Sequence, residues 1–197
     1  MSINFQKDII LENDRARLEP LSLSHLEELL PIALNHPTLL QYSPSYFGSR
    51  DNLEKYIRNA LAAKDQHNRY AFAIFDKEKN AYAGSSSFGN ISNHDKRLEI
   101  GWTWISKEFQ STGLNKNCKI LLLKYAFESL DFERVELRTD SRNAQSRRAI
   151  EKIGATYEGE LRNHMLMLDG YRRSTVCYSI IKSEWAGIKD TVFSEFV

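Results

Sequence analysis

Two adjacent segments decide the fold: "RLEIGWTWIS" (97–106) and "FQSTGLNKNCKILLLKYAFESL" (109–130). The first alternates like a β-strand and predicts two faces, with Leu98, Ile100, Trp102 and Trp104 on one and Glu99, Gly101, Thr103 and Ile105 on the other. The second begins as a polar loop around Gly113 and continues as a largely buried helix from about Asn115 to Ser129. The chain is therefore expected to pass from a strand, through a glycine turn, directly into a helix.

Such a strand-to-helix turn predicts an anion site. The first amides of the helix have no partner within it, and the helix dipole adds positive charge. Ser111, Thr112 and Asn115 offer side-chain donors, and an anion would offset the unfavourable placement of Lys116 and Lys119 near a helix N-terminus. A plain glycine turn with solvated lysines explains the same spacing. Neither the Walker pattern nor the Rossmann pattern occurs, which counts against a nucleotide-binding regulator.

The rest of the chain predicts a mixed α/β sheet. The expected strands are 16–21, 70–76, 81–91, 97–106, 134–140 and two within 155–185 that join at Asp169–Gly170. The expected helices are 22–34, with a Ser24–Glu27 capping box and an end or kink at Pro31, then 50–64 with Ser49 as N-cap, 115–129 and 143–154. Antiparallel strands lead into a central β-α-β crossover, and a hairpin follows.

Composition bounds the class of protein. The 197 residues suit one domain over 1–197, and the 27 basic and 26 acidic side chains give a net charge of +1. This balance gives no reason to expect nucleic acid or a membrane as partner. The absence of a long apolar run or signal-peptide core predicts a cytoplasmic protein. Cys118 and Cys177 lack metal-ligand spacing, are expected to be buried apolar residues, and no metal is predicted.

At this point the motifs resemble a known family. "QSTGLN" (110–115) looks like the Q/R-x-x-G-x-G/A acetyl-CoA loop of GNAT acetyltransferases. "LEIGW" before it, "RVELRTDSRNAQSRRAIEKIGATYEGELR" after it and the later "DG…R-x-TVCYSI" (169–180) resemble the branch that contains the ribosomal-protein N-acetyltransferases. The resemblance covers about residues 10 to 185 and implies the GNAT fold. It departs at Asn115, where the family has a last Gly or Ala.

The resemblance implies acetyl-CoA as cosubstrate. It implies that the strands around Trp104 and Val135–Leu137 splay apart, so that pantetheine fills the gap like an added strand. The residues expected at the cofactor are Trp104, Ile105, Gln110, Ser111, Thr112, Gly113, Leu114, Asn115, Lys116 and Asn143. Lys116 either reaches an outer phosphate or stays solvated.

The resemblance also implies direct attack of a primary amine on the thioester, in a ternary complex. An N-terminal α-amine, with a pKa of about 7.7–8.0, needs less help from a base than a lysine at about 10.4. Glu99 is the candidate base, unless it is an ordinary solvated or ion-paired glutamate. The Ile105 amide is the candidate oxyanion donor. The matching position of the family's helix tyrosine is Ile150, so Ser146 is the candidate donor to the thiolate, unless it bonds its own helix backbone.

The sequence does not identify the acceptor. Trp102, Arg162 and His164 are expected to line the acceptor pocket. Two alternatives stay open: His164 is an ordinary strand histidine, and Trp102 belongs to the cleft wall or the core. Tyr178 points either to the thioester or to the core. The acceptor is a small amine or a protein N-terminus, and a homodimer is left open. The alternative function is a CoA-binding sensor or interaction module with weak or no catalysis.

Overall fold

The computed structural model describes residues 2–196. The strands are β1 (Leu11–Glu12), β2 (Ala16–Pro20), β3 (Arg69–Asp76), β4 (Ala81–Ser92), β5 (Arg97–Ile105), β6 (Arg134–Asp140), β7 (Thr156–Leu166) and β8 (Arg172–Ile181). The helices are α1 (Leu26–Asn35), α2 (Arg50–Asp65), α3 (Leu114–Lys124), α4 (Ala144–Glu151) and α5 (Lys182–Val192), with a π-helical turn (Tyr125–Ser129) after α3. These elements confirm the predicted α/β class.

One eight-stranded sheet organises the chain, in the order β1-β2-β3-β4-β5-β6-β8-β7. All neighbouring strands are antiparallel except β5 and β6, which are parallel and are connected through α3. The predicted mixed sheet, central crossover and C-terminal hairpin are therefore confirmed.

Two hydrophobic cores lie on opposite faces of the sheet. Alternate residues of β3, whose side chains point to opposite faces, belong to different cores. The α3-side core contains Phe72 and Ile74 together with residues of α3, α4 and α5. The α2-side core contains Ala71 and Ala73 together with residues of α1 and α2. Each face of the sheet is thus covered by its own layer of helices.

A bulge in β5 overturns the predicted alternation of that strand. The pairing of β5 with β4 shifts between Trp104–Ser85 and Gly101–Ser87, and Trp102 has a φ of 50°. Because a bulge inserts an extra residue, the faces exchange beyond it. Trp104 consequently belongs to the α2-side core, on the face of Glu99, and Ile105 belongs to the α3-side core with Leu98 and Ile100.

Several local predictions need correction. The first helix begins as a 3-10 turn (Leu23–His25), where the Ser22 amide donates to His25 Nδ1 in place of the predicted Ser24–Glu27 box. Of the two effects predicted for Pro31, an end of the helix is excluded, because α1 continues to Asn35, and a kink stays a prediction. The predicted last strand ends at Ile181, and α5, like β1, was not predicted.

The predicted Ser49 cap, hairpin turn and burial of Cys118 are confirmed, whereas the predicted burial of Cys177 is corrected. Ser49 caps α2 by accepting from the Asn52 amide, and Asn143 caps α4 by accepting from the Ser146 amide. Gly154 follows α4 with a positive φ of 87°. Asp169–Gly170 lies in the turn between β7 and β8. Cys118 is buried, whereas Cys177 is only half-buried.

Within residues 2–196, no helix is long and apolar enough to cross a membrane. Over the same residues, His, Cys, Asp and Glu side chains form no group of three or more that could hold a metal ion.

Candidate functional site

The sheet opens between its two parallel strands. β5 pairs with β6 only from Arg97–Arg134 to Glu99–Glu136. β6 continues to Asp140 in register with β8, and β5 continues to Ile105 in register with β4. The facing edges of β5 and β6 beyond Glu99 therefore carry backbone groups without ladder partners, as the resemblance implied.

The Ile105 amide points into this opening. The next amide, that of Ser106, donates to the Ala83 carbonyl of β4 at 2.8 Å. Because successive amides of an extended strand point to opposite edges, the Ile105 N–H faces β6. The amide predicted as the oxyanion donor is thus directed toward the gap.

The N-terminus of α3 lies at the end of the opening. Gly113 is the N-cap residue, has a φ of 89°, and provides no side-chain cap for the first-turn amides. Ser111 also has a positive φ, of 62°. A Cβ added to Gly113 would meet no heavy atom within 4 Å, so open space lies in front of the turn. Uncapped amides that face open space are the geometry that binds phosphate.

Asn115 marks the same site. Its Oδ1 is buried and has no hydrogen-bond partner among residues 2–196. The two ends of an amide side chain are nearly isosteric, so a rotation presents the NH₂ group as donor. The residue that departs from the family pattern therefore has unused hydrogen-bonding capacity at the start of α3.

The other predicted cofactor residues surround this turn. Gln110 donates to the Ile105 carbonyl at 2.8 Å and accepts from Gln145 of α4 at 2.9 Å, so it bridges the two sides of the opening. The Thr112 hydroxyl donates to the Phe109 carbonyl. Leu114 is fully buried in the α3-side core.

Lys116 contacts the segment that follows α5. Its Nζ lies 2.9 Å from a Glu195 oxygen and 5.8 Å from the ring centres of Phe193 and Phe196. Both partners of this ion pair are partly exposed, so the pair contributes only about 0–1 kcal/mol and a phosphate can compete for the lysine.

Glu99 is buried on the α2 side of the sheet, beside the opening. It is 7% exposed, accepts from the Asn90 side chain at 2.8 Å, and lies 3.7 Å from Arg138 Nε. Burial raises the pKa of Glu99, while the Asn90 hydrogen bond and the Arg138 charge oppose that rise. A carboxylate with a raised pKa at the edge of a cleft is suited to accept a proton.

Charged side chains extend from Glu99 across β6 and β8. Arg138 also pairs with Glu136 at 2.7 Å, which leaves it shared between two carboxylates. Arg173 is 8% exposed, donates to Thr175 Oγ1 and to the Tyr42 carbonyl, and has no ion-pair partner among the described residues. Sequence reasoning missed Arg138 and Arg173, although both alternate on the face of Glu136 and Thr175 in strands that were predicted.

The predicted acceptor residues do not form a single cluster. His164 is exposed and its Nδ1 lies 3.1 Å from Thr175 Oγ1, next to Arg173. Arg162 is exposed on the same strand. Trp102 is 37% exposed, with the Arg69 guanidinium 4.9 Å above its ring. The structure therefore brings His164 to the Arg173 side of the site and Trp102 to the bulge.

Two candidates for the leaving-group side lie on α4 and β8. Ser146 is half-buried in the first turn of α4, on the α3 side of the sheet. The Tyr178 hydroxyl accepts from Arg147 and donates to Glu151, and its ring is fully buried. Of the two readings left open for Tyr178, the core position is confirmed.

Neither cysteine is poised as a nucleophile. Burial raises the pKa of Cys118 to about 12 and also raises the pKa of Cys177. A thiol with a raised pKa is a poor nucleophile at neutral pH.

Comparisons with known proteins agree with this geometry. Residues 15–156 match the family model described as the acetyltransferase (GNAT) domain. A Bacillus subtilis (strain 168) protein named as ribosomal N-acetyltransferase YdaF is 37% identical over 106 residues, which are 54% of this chain and 57% of YdaF. The chain thus spans little more than half the length of that relative.

Solved structures extend the likeness to nearly the whole chain. A T. thermophilus protein described as an acetyltransferase is 33% identical with a TM-score of 0.85, over 95% of this chain and 97% of its own. A GCN5-related N-acetyltransferase from Brucella melitensis is 25% identical with a TM-score of 0.89, over 97% and 86%. The open pair of parallel strands, the uncapped helix end and the matched family model together show that this chain belongs to the GNAT acetyltransferase family.

Proposed function

We propose that the protein transfers the acetyl group of acetyl-CoA to a primary amine, by direct attack in a ternary complex. The observation that carries the proposal is the position of Glu99. This buried carboxylate borders an opening between parallel strands whose far end is the uncapped N-terminus of α3.

The cofactor residues have separate tasks. The amides from Gln110 to Lys116 hold the pyrophosphate at the start of α3, and the free edge of β5 at Trp104 and Ile105 holds pantetheine through its backbone. Asn143, at the start of α4, meets pantetheine or the adenosine side. When bound, acetyl-CoA supplies an activated thioester.

Glu99 prepares the acceptor from the α2 side of the sheet. It accepts a proton from the amine, directly or through one water, so that the nitrogen attacks in its neutral form. The Ile105 N–H donates to the carbonyl oxygen as negative charge develops on it. Ser146 of α4 donates to the sulfur from the opposite face.

The acceptor is an amine that reaches Glu99 past Trp102, Arg162 and His164. We favour a protein N-terminal α-amine as the acceptor, because an α-amine is far more often neutral near pH 7 than a lysine side chain. The raised pKa of Glu99 makes it a suitable base for removing the remaining proton. The name of YdaF, a ribosomal N-acetyltransferase, supports the same class. We place the protein in the cytoplasm, where such acceptors occur, and a homodimer stays a prediction.

A thiol-release assay tests the proposal. Acetyl-CoA is mixed with peptides that carry free N-termini, the same peptides with blocked N-termini, and small amines. We expect turnover that needs a free amine and that Glu99→Gln reduces by about 10²–10⁴. Glu160→Gln, at an exposed glutamate of β7, is the matched control and should retain full activity. Saturable CoA binding without turnover on any acceptor would instead identify a CoA-binding sensor.

A further inference from the structure

A buried lysine on α3 has no role in the chemistry described above. Lys119 is 6% exposed, and its Nζ donates to Thr103 Oγ1 at 3.0 Å. Among residues 2–196, no carboxylate lies within ion-pair distance of this ammonium. Burial lowers the pKa of Lys119 to about 8. A buried cation without a counter-ion is costly, so its presence calls for a compensating partner.

The partner of Lys119 lies at the opening of the sheet. Thr103 directly follows the bulged residue Trp102 and is exposed, although β5 is an interior strand. It can be exposed there because β6 pairs with β5 only as far as Glu99. The ammonium is therefore one hydrogen bond away from an open surface of the cleft.

Lys119 and Glu99 lie on opposite faces of the sheet at this opening. Thr103 shares the α3 side with Ile105 and also contacts Ser86, whose Oγ lies 2.7 Å from Thr103 Oγ1. Glu99 lies on the α2 side with Trp104. One face of the cleft thus carries a carboxylate and the other a cation.

This separation of charge matches the separation of charge in acyl transfer. As the amine nitrogen forms its bond to the carbonyl carbon, the amine proton goes to the carboxylate. As the carbon–sulfur bond breaks, its electron pair goes to the sulfur. A thiolate is stabilised by a neighbouring cation, and a charged donor holds it more strongly than a neutral hydroxyl does.

We propose that the Lys119 ammonium donates a hydrogen bond to the coenzyme A sulfur and stabilises the departing thiolate as an ion pair. Lys119 stays protonated, and the thiolate takes its own proton from water after release. The inference rests on the proposed function and identifies a catalytic residue in place of the tyrosine that the chain lacks at Ile150. Ser146 then has a secondary role on the same face.

The test measures the pKa of the coenzyme A thiol while it is bound, from its ultraviolet thiolate absorbance. We compare the wild type with Lys119→Met and with Lys119→Gln, which keeps a donor for Thr103 but loses the charge. Lys124→Met, at an exposed lysine of the same helix, is the matched control. Desulfo-coenzyme A, which lacks the sulfur, is titrated in parallel by calorimetry.

We expect the bound thiol in the wild type and in Lys124→Met to have a pKa at least one unit below that of free coenzyme A. In both Lys119 variants the pKa should return to the free value or exceed it. The affinity for the thiolate form of coenzyme A, obtained from titrations over the same pH range, should fall about tenfold relative to desulfo-coenzyme A, since one unit of thiol pKa corresponds to a tenfold change for that form.

Two outcomes would overturn the inference. An unchanged thiol pKa in the Lys119 variants, or an equal loss of affinity for both ligands, would mean that Lys119 only supports the bulge. If the wild type binds neither ligand, the proposed function itself fails. Binding of desulfo-coenzyme A by the variants shows that they are folded.

Discussion

Replacing Lys119 with methionine should stabilise the protein at neutral pH. The pKa of Lys119 is lowered from 10.5 to about 8, which corresponds to about 3 kcal/mol of folding free energy when the side chain is charged. Methionine has a similar length, and Thr103 Oγ1 keeps its contact with Ser86. The free energy of unfolding should therefore rise by up to about 3 kcal/mol below pH 8.

The pH dependence identifies the cause. Between pH 8 and 10.5 the unfolded chain binds the Lys119 proton more strongly than the folded chain, so wild-type stability rises with pH across this window. The methionine variant lacks this rise, and its advantage should vanish near pH 10.5. Urea unfolding at pH 7, 9 and 10 measures the difference, with Lys124→Met as control. A destabilised Lys119→Met, or a difference that does not vary with pH, would refute the reasoning.

Four further predictions test other parts of the structure. Because burial raises the pKa of Glu99, wild-type activity should fall with decreasing pH, with an apparent pKa above the ordinary glutamate value. Glu99→Gln should lack this acid limb of the pH–rate profile. Since the buried carboxylate is charged at neutral pH, Glu99→Gln should also be at least as stable as the wild type there. Gly113→Ala and Gly170→Ala place a side chain at similar positive φ values in open space, so each should lower the free energy of unfolding in urea by about 1–2 kcal/mol. Only Gly113→Ala should weaken coenzyme A binding, and equal binding by both variants would mean that the Gly113 turn does not bind the phosphates. Glu195→Gln releases Lys116 and should strengthen coenzyme A binding a few-fold at low salt with stability within about 1 kcal/mol, whereas unchanged affinity would leave Lys116 as a solvated lysine. Gly84→Ala drives a Cβ into the Trp104 carbonyl and should disrupt the β4–β5 pairing, measured as a large loss of stability; a near-neutral effect would contradict the close approach of these strands.

Local patterns were sufficient to predict most of the fold. Period-two segments identified β3 to β6, and the glycine turn before an apolar helix identified the connection from β5 to α3. Such elements are specified by short-range alternation and by caps such as Ser49 and Asn143, which can be read directly from neighbouring residues. The two-residue β1 is too short to give a pattern.

The error in β5 has a physical cause. Assigning strand faces by alternation assumes that each residue of β5 pairs with one residue of β4. Nothing in "GWTW" indicates that Trp102 is an additional residue in that pairing. The bulge is a property of the pairing with β4, where Gly84 and Gly89 leave room for the backbone of Trp104 and the ring of Trp102. The faces of Trp104 and Ile105 therefore could not be assigned from β5 alone.

The site was only partly accessible from the sequence for a related reason. Glu99 and the turn around Gly113 lie in a contiguous stretch, so their spacing could be interpreted. Arg138 and Arg173 reach the site through strand pairing across the sheet, and Lys119 reaches it through the packing of α3 beneath the bulge. Lys119 had two sequence signals: its unfavourable placement near the start of α3, and its position between Cys118 and Ile120, both buried, where a cation is unexpected.

Hydrogen exchange of the wild type, with and without coenzyme A, tests the central claim most directly. If pantetheine pairs with the free edge of β5 and the pyrophosphate binds the start of α3, amides within 101–105 and 111–116 should exchange more slowly in the complex. No change in these two segments at saturating coenzyme A, with slower exchange confined to segments away from the opening and the start of α4, would contradict the account.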